Sequence, residues 1–204
     1  MSVWGLVSDV HGNLPALEEA LRVLSAAGAG RFAFLGDYLG RGDSDACGRL
    51  IREVAAVAVV DNRDLDWQHR VAPVTRDWVL SLPRIACVDG VLLAHGDARL
   101  SRALSTAQIN RQFNEAWDEM ERHDARVAAF GHSHYARVWH KASAAAPAEL
   151  LAGQGVAMRP EGRYFVNVGT TGLPFPGKGP PSVMVLDMDQ GRIEQLTLTW
   201  KAAE

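Results

Sequence analysis

The 204-residue chain has only two cysteines, Cys47 and Cys87, and neither belongs to a Cys-x-x-Cys pair. That excludes a disulfide framework, and both are expected as reduced thiols of a cytoplasmic protein. No apolar run approaches the roughly 18–20 residues of a membrane-spanning helix, so no membrane partner is expected. Neither sign of charge dominates: 21 Lys and Arg face 24 Asp and Glu, a formal net charge of −3. This balance gives no electrostatic basis for a nucleic-acid partner. Internal repeats and low-complexity tails are absent from the sequence. Met1 leads straight into a predicted strand, leaving no room for a signal peptide. What remains is 48% hydrophobic and 22% charged, the composition of an ordinary globular protein. The length suits one domain over residues 1–204, large enough to bury a core. Composition leaves the oligomeric state open.

Strand and helix signals alternate along the chain. Val3 to Ser8 reads as a buried strand. Leu14 to Ala27 reads as a helix, with Leu14, Leu17, Leu21 and Leu24 at helical spacing and Pro15 in its first turn. Arg31 to Leu35 is a second strand. Ser44 to Val54 is a second helix, with Ser44 as its expected N-cap. Ala56 to Val60 is a third strand. A β-α-β-α-β start predicts an α/β fold with parallel strands. Further on, Thr75 to Leu82 reads as a short helix stopped by Pro83. Ile85 to Val88 and Val91 to Ala94 flank Asp89-Gly90, a strong hairpin signal. Thr106 to Arg122 is an amphipathic helix, with Ile109, Phe113, Trp117 and Met120 on one face. Arg126 to Phe130, Arg137 to His140 and Arg163 to Val168 read as strands. Ser182 to Leu186 and Arg192 to Trp200 form a last hairpin. The Ala-, Gly- and Pro-rich stretch 142–162 is expected to be a mobile surface loop near the site. Pro174 to Pro181 is a second Gly/Pro loop.

The chemistry lies at the strand exits. In order along the chain stand Asp9-Val10-His11, Gly36-Asp37, Asp61-Asn62-Arg63-Asp64, His95-Gly96 and Gly131-His132-Ser133-His134. Asp9, Asp37 and Asp61-Asn62 fall just past the C-terminal ends of the first three strands, the edge where open α/β sheets bind ligands. Together the motifs supply enough oxygen and imidazole donors for two adjacent metal ions. Such a pair generates a nucleophilic hydroxide at neutral pH and clamps an in-line displacement at phosphorus. Mixed nitrogen and oxygen donors suit Mn, Fe, Zn, Co or Ni and do not choose among them. His69, His123 and His140 lie outside the motifs and are expected at the surface.

Over nearly its whole length the chain resembles the calcineurin-like metallophosphoesterases, in particular their small bacterial phosphodiesterase-like branch. The opening Ser8-Asp9-Val10-His11-Gly12-Asn13-Leu14-Pro15-Ala16-Leu17 is similar to that branch, and Asn167-Val168-Gly169-Thr170 resembles its late Asn-Pro-Gly-Ser turn. The resemblance implies a four-layer αββα sandwich of two mixed sheets. It also implies a ligand scheme: Asp9, His11 and His134 for one divalent metal, Asn62, His95 and His132 for a second, and Asp37 bridging both. Arg41 matches the family's phosphate-contacting arginine, whose guanidinium fork fits two phosphoryl oxygens. Arg63 offers a second positive contact, and Asn62 is expected among the catalytic residues as well as the metal ligands.

Two departures bear on the substrate. The protein phosphatases of this superfamily carry Gly-Asp-x-x-Asp-Arg-Gly and Gly-Asn-His. Here the segments read Gly36-Asp37-Tyr38-Leu39-Gly40-Arg41-Gly42 and Asp61-Asn62-Arg63. The Asp and His of the leaving-group dyad are replaced by Gly40 and Arg63. Arginine cannot donate a proton, since its pKa exceeds 12, and a general acid is worth roughly 10²–10⁴-fold. Diesters with acidic leaving groups and phosphoanhydrides suffer least from its loss. The expected function is therefore a phosphodiesterase that attacks a small phosphate-ester or nucleotide substrate with a metal-bridging hydroxide. Hydrolysis of a dinucleoside polyphosphate is the second reading, and a non-catalytic interaction scaffold like the superfamily's retromer subunit is the third. His69 and Tyr38 are the remaining candidates for a proton donor.

Overall fold

The computed structural model describes residues 3–96 and 106–200, without the side chains of Asn62 and of residues 106–111. The chain opens with β1 (Val3–Val7), α1 (Leu14–Ala26), β2 (Arg31–Phe34), α2 (Ser44–Val54) and β3 (Ala55–Ala58). Strands β1, β2 and β3 are parallel, as the alternating pattern predicts. The N-cap of α1 is Asn13, whose side chain accepts the Ala16 N–H, with a proline in the first turn. The N-cap of α2 is Asp43 rather than Ser44. Asp43 accepts the Ala46 N–H at 2.9 Å, whereas the Ser44 hydroxyl turns back to the Gly40 backbone.

Next come α3 (Asn62–Trp67), a 3₁₀ turn (Gln68–Arg70) and α4 (Pro73–Ser81). The hairpin β4 (Ile85–Val88) and β5 (Val91–Ala94) turns on Asp89 and Gly90, both with positive φ, as a primed two-residue turn requires. Helix α5 (Thr106–Arg122) leads to β6 (Val127–Phe130), β7 (Arg137–Lys141), β8 (Glu149–Leu151), β9 (Gly155–Ala157), β10 (Arg163–Asn167), β11 (Ser182–Asp187) and β12 (Arg192–Thr197).

These strands form two mixed six-stranded sheets, in the orders β3-β2-β1-β11-β12-β9 and β4-β5-β6-β10-β7-β8. Alternation along each strand assigns residues to layers, because successive side chains point to opposite faces. Leu6, Ala33, Val91, Leu93, Val127, Ala129, Tyr164, Val166, Met184 and Leu186 meet in the core between the sheets. Their neighbours Val7, Phe34, Val183 and Val185 face the other way and pack with Leu17, Leu24 and Ile51 of α1 and α2. Leu92, Ala128, Phe130 and Phe165 pack with Phe113, Trp117 and Met120 of α5. The result is helices, sheet, sheet, helix, the expected αββα sandwich. Ile109 lies outside the described side chains.

The stretch 142–162 is more ordered than expected. It contributes β8 to the edge of one sheet and β9 to the edge of the other. Three-residue edge strands leave too short a period-2 pattern to read among Ala and Gly. His140 is a second correction. It is 3% exposed, packed at a tilt against the Tyr164 ring at 4.9 Å, and contacts the Glu161 carbonyl at 3.0 Å and Arg159 at 3.1 Å. These neighbours arrive from the segment after β9, which covers what a strand edge would otherwise expose. His69 and His123 are exposed, as expected. Among the described residues no helix is long and apolar enough to cross a membrane.

Candidate metal centre

Five strand exits converge between the two sheets. Asp9 and His11 follow β1, Asp37 follows β2, Asp61 opens α3 after β3, His95 follows β5, and His132 and His134 follow β6. Asp9, His11, Asp37, His132 and His134 all have φ between 53° and 65°, the left-handed region. A non-glycine residue there costs of order 1–3 kcal/mol and persists only where its surroundings impose it. The imposing contacts are visible. His11 N–H donates to the Asp37 carbonyl at 2.9 Å and Gly131 N–H to the His95 carbonyl at 2.8 Å. The turn after β10 clamps two exits at once. Asn167 donates to the Gly131 carbonyl and the Ser133 hydroxyl, while the Thr170 hydroxyl donates to the Asp9 carbonyl at 3.0 Å. At Gly131 a Cβ would lie 1.9 Å from the Ser8 hydroxyl and 2.3 Å from Asp9 Oδ2, so only glycine lets the loops approach.

The donor atoms fall into two groups. One ligand atom each from Asp9, His11, Asp37 and His134 lie within 4.8 Å of one another, and so do those of Asp61, His95 and His132. In the first group His134 Nε2 is 2.9 Å from Asp9 Oδ1 and 3.2 Å from His11 Nε2. His11 Nε2 is 3.5 Å from Asp37 Oδ2. The other oxygen, Asp37 Oδ1, is 3.7 Å from His95 Nε2, and His95 Nε2 is 3.5 Å from Asp61 Oδ2. Asp37 thus turns one carboxylate oxygen to each group.

Neighbouring groups aim the ligand atoms. Asp9 Oδ2 accepts from the Ser8 hydroxyl at 2.6 Å and the His132 N–H at 3.0 Å, which leaves Oδ1 facing His11 and His134. His95 Nδ1 meets the Leu35 carbonyl at 2.6 Å, and His134 Nδ1 the Leu173 carbonyl at 2.6 Å. In the neutral imidazole each of those Nδ1 atoms holds the proton, so both Nε2 atoms are bare.

The donor set fits divalent cations. Asp9 Oδ1, Asp37 Oδ1 and His95 Nε2 are buried without a hydrogen-bond partner, at a cost that a cation would relieve. The Nε2 atoms of His11 and His134, 3.2 Å apart, are spaced as two ligands about 2.1 Å from one shared ion would be. The charge balance agrees. Burial pushes the Asp37 carboxyl up to about 8 against the pull of His95, and the Asp9, Asp64 and Asp61 carboxylates add to the rise. Burial also raises Asp9, but His95 and the neighbouring His11 and His134 imidazoles outweigh it and hold Asp9 well below the usual carboxylate range. Burial lowers His95 and His134, yet the surrounding carboxylates carry both above an ordinary histidine. Burial depresses His11, and among the weaker causes is the positive charge of Arg63. Burial and the charge of His95 depress His132. A carboxyl held protonated by burial among other carboxylates calls for added positive charge.

The structure brings together Asp9, His11, Asp37, His95, His132 and His134. The side chain of Asn62 lies outside the described residues. Arg41 and Arg63 are exposed, on the turn beside His11-Gly12 and on the first turn of α3. Sequence reasoning assigned no ligand role to Asp61, since the resemblance placed the ligand at Asn62. It also passed over Asp64, whose carboxylate accepts the N–H groups of Asp37, Tyr38 and Leu39. Tyr38 is no proton donor to a substrate. It is fully buried, stacked on Trp78 at 5.6 Å, and its hydroxyl is bound to the Phe34 and Val59 carbonyls. Gly40 has no positive φ, but a Cβ there would lie 2.1 Å from the His11 carbonyl oxygen. The backbone therefore admits no aspartate at that position.

The calcineurin-like phosphoesterase superfamily domain matches residues 1–191. An uncharacterized protein of Methanocaldococcus jannaschii is 24% identical, the match covering 95% of this chain and 86% of that protein. A crystal structure of a metallophosphoesterase from Sphaerobacter thermophilus superposes with a TM-score of 0.78 at 22% identity, covering 98% of this chain and 89% of the other. A structure of an archaeal phosphodiesterase superposes with a TM-score of 0.58 at 14% identity, covering 96% and 99%.

Proposed function

The chain belongs to the calcineurin-like phosphoesterase superfamily, and on that premise we propose that it is a phosphodiesterase with a dinuclear centre joined by Asp37. The observation that carries this reading is the split carboxylate of Asp37, with Oδ2 at 3.5 Å from His11 Nε2 and Oδ1 at 3.7 Å from His95 Nε2. Asp9, His11 and His134 would hold one divalent cation, and His95, His132 and Asn62 the other. Divalent cations bound there supply Lewis acidity to the phosphoryl oxygens and make water acidic enough to react at neutral pH.

The chain's own residues do the rest. Ser8 and the His132 N–H fix the Asp9 carboxylate, and the Leu35 and Leu173 carbonyls fix the two imidazoles. A site so held needs little reorganisation when charge develops at phosphorus. Arg41 and Arg63 stand exposed at the rim, where their guanidinium forks can orient the non-bridging oxygens. The buried Tyr38 hydroxyl and the permanently charged Arg63 are excluded as donors to the leaving group. Substrates whose leaving group departs unprotonated are favoured, which means aryl or other acidic diesters. Phosphoanhydrides share that property and stand as the second reading.

The test is hydrolysis of bis-p-nitrophenyl phosphate, p-nitrophenyl phosphate and diadenosine tetraphosphate after chelation and reloading with Mn, Ni or Zn. The diester should be turned over faster than the monoester, and only by the reloaded protein. Diadenosine tetraphosphate as the fastest substrate would replace the diester reading with the anhydride one. Failure of every substrate under every metal would favour an interaction scaffold.

A further inference from the structure

We propose that Asp61 is itself a ligand of the cation held by His95 and His132, giving that position a carboxylate of its own beside the shared Asp37. The inference rests on the metallophosphoesterase reading of the site. In the protein phosphatases of the superfamily the motif at this point is Gly-Asn-His, so Asp61 stands where they carry a glycine and its carboxylate is an addition relative to them.

Four observations carry it. Asp61 Oδ2 lies 3.5 Å from His95 Nε2. One donor atom each from Asp61, His95 and His132 lie within 4.8 Å of one another. His95 is 2% exposed, and its Nε2, aimed into this group by the Leu35 carbonyl on Nδ1, has no hydrogen-bond partner. Finally, Asp61 has φ −118° and ψ 173°, ordinary extended backbone. The position makes no demand for glycine, so a side chain costs nothing there.

The added carboxylate changes the chemistry of the centre. Asp9, Asp37 and Asp61 together bring three formal negative charges to two divalent ions. A second carboxylate shifts the position of His95 and His132 toward harder cations such as Mn²⁺, relative to Asp37 with imidazoles and an amide alone.

The experiment is calorimetric titration of the chelator-stripped protein with MnCl₂, for the wild type, Asp61→Ser and Asp61→Asn. Serine keeps an N-cap oxygen for α3 but removes the carboxylate, and asparagine keeps the shape. The wild type should take up two equivalents. Both variants should keep one equivalent at wild-type affinity and bind the other at least tenfold more weakly, with the melting temperature of the stripped protein unchanged. Two equivalents at wild-type affinities in Asp61→Ser would overturn the inference and leave the phosphodiesterase reading standing. Equal weakening of both equivalents, with a lowered melting temperature, would overturn it in favour of a structural role. A wild type that takes up no stoichiometric Mn²⁺ would overturn both this inference and the reading beneath it.

Discussion

The Asp64 carboxylate accepts the backbone N–H of Asp37 at 2.9 Å, so the first turn of α3 grips the exit loop of β2. The same carboxylate accepts the N–H groups of Tyr38 and Leu39 at 2.8 and 3.0 Å. Burial raises its pKa to about 6 in spite of these bonds. Asp64→Ala leaves three donors in a buried place without an acceptor, and each such group costs about 1–3 kcal/mol. Because these costs share one site, a total loss of about 3 kcal/mol is expected in urea denaturation of the metal-free protein. An unchanged midpoint would show that the loop holds its shape without this anchor.

Asp37→Asn should be the most damaging single change to turnover, because the residue faces both groups of donors. The loss in kcat should exceed the 10–100-fold typical of removing an outer partner of a metal ligand. His95→Ala should weaken one metal equivalent and leave the other. Near-normal turnover of Asp37→Asn at saturating metal would exclude a shared role.

Metal uptake should depend on pH with a defined sign. The Asp37 carboxyl of the metal-free protein, raised to about 8, still holds its proton at neutrality, and a cation must displace it. Apparent affinity should therefore rise with pH, by up to about tenfold per unit for one proton, and level off above pH 8 so far as Asp37 is concerned. Calorimetry in buffers of different ionisation enthalpy counts the released protons. Release of none at pH 7 would mean that Asp37 is already ionised.

Leaving-group chemistry should follow from Gly40 and Arg63. Across a series of aryl phosphodiesters, kcat/KM should fall steeply as leaving-group pKa rises. Arg63→His should flatten that dependence only slightly, since it restores half of a dyad. Gly40→Asp cannot supply the other half. Its Cβ would meet the His11 carbonyl oxygen at 2.1 Å, and overpacking of this kind costs about 1–3 kcal/mol or more. A lowered melting temperature and weaker metal uptake are expected instead of a new activity.

Much of this centre was legible in the sequence because its donor residues sit in short motifs at strand exits. The strands themselves are signalled by apolar runs such as 3–7 and 127–130, and Thr106 to Arg122 by its helical stripe. The edge strands β8 and β9 were not legible, because three residues among Ala and Gly carry too little period. Asp61 was hidden by the family pattern, which drew the ligand to its neighbour Asn62. Asp64 was hidden because its partners are backbone N–H groups more than 20 residues away, which leave no mark on composition or spacing. His140 read as a surface residue because its cover, Arg159 and Glu161, arrives from the stretch that carried no pattern.

The central claim is that Asp37 joins two metal positions, and anomalous diffraction from manganese-soaked crystals tests it most directly. Two peaks roughly 3.5–4 Å apart are expected, one beside Asp9, His11 and His134, the other beside His95 and His132, with one oxygen of Asp37 on each. A single peak away from Asp37, or His132 and His134 turned away from it, would contradict the account.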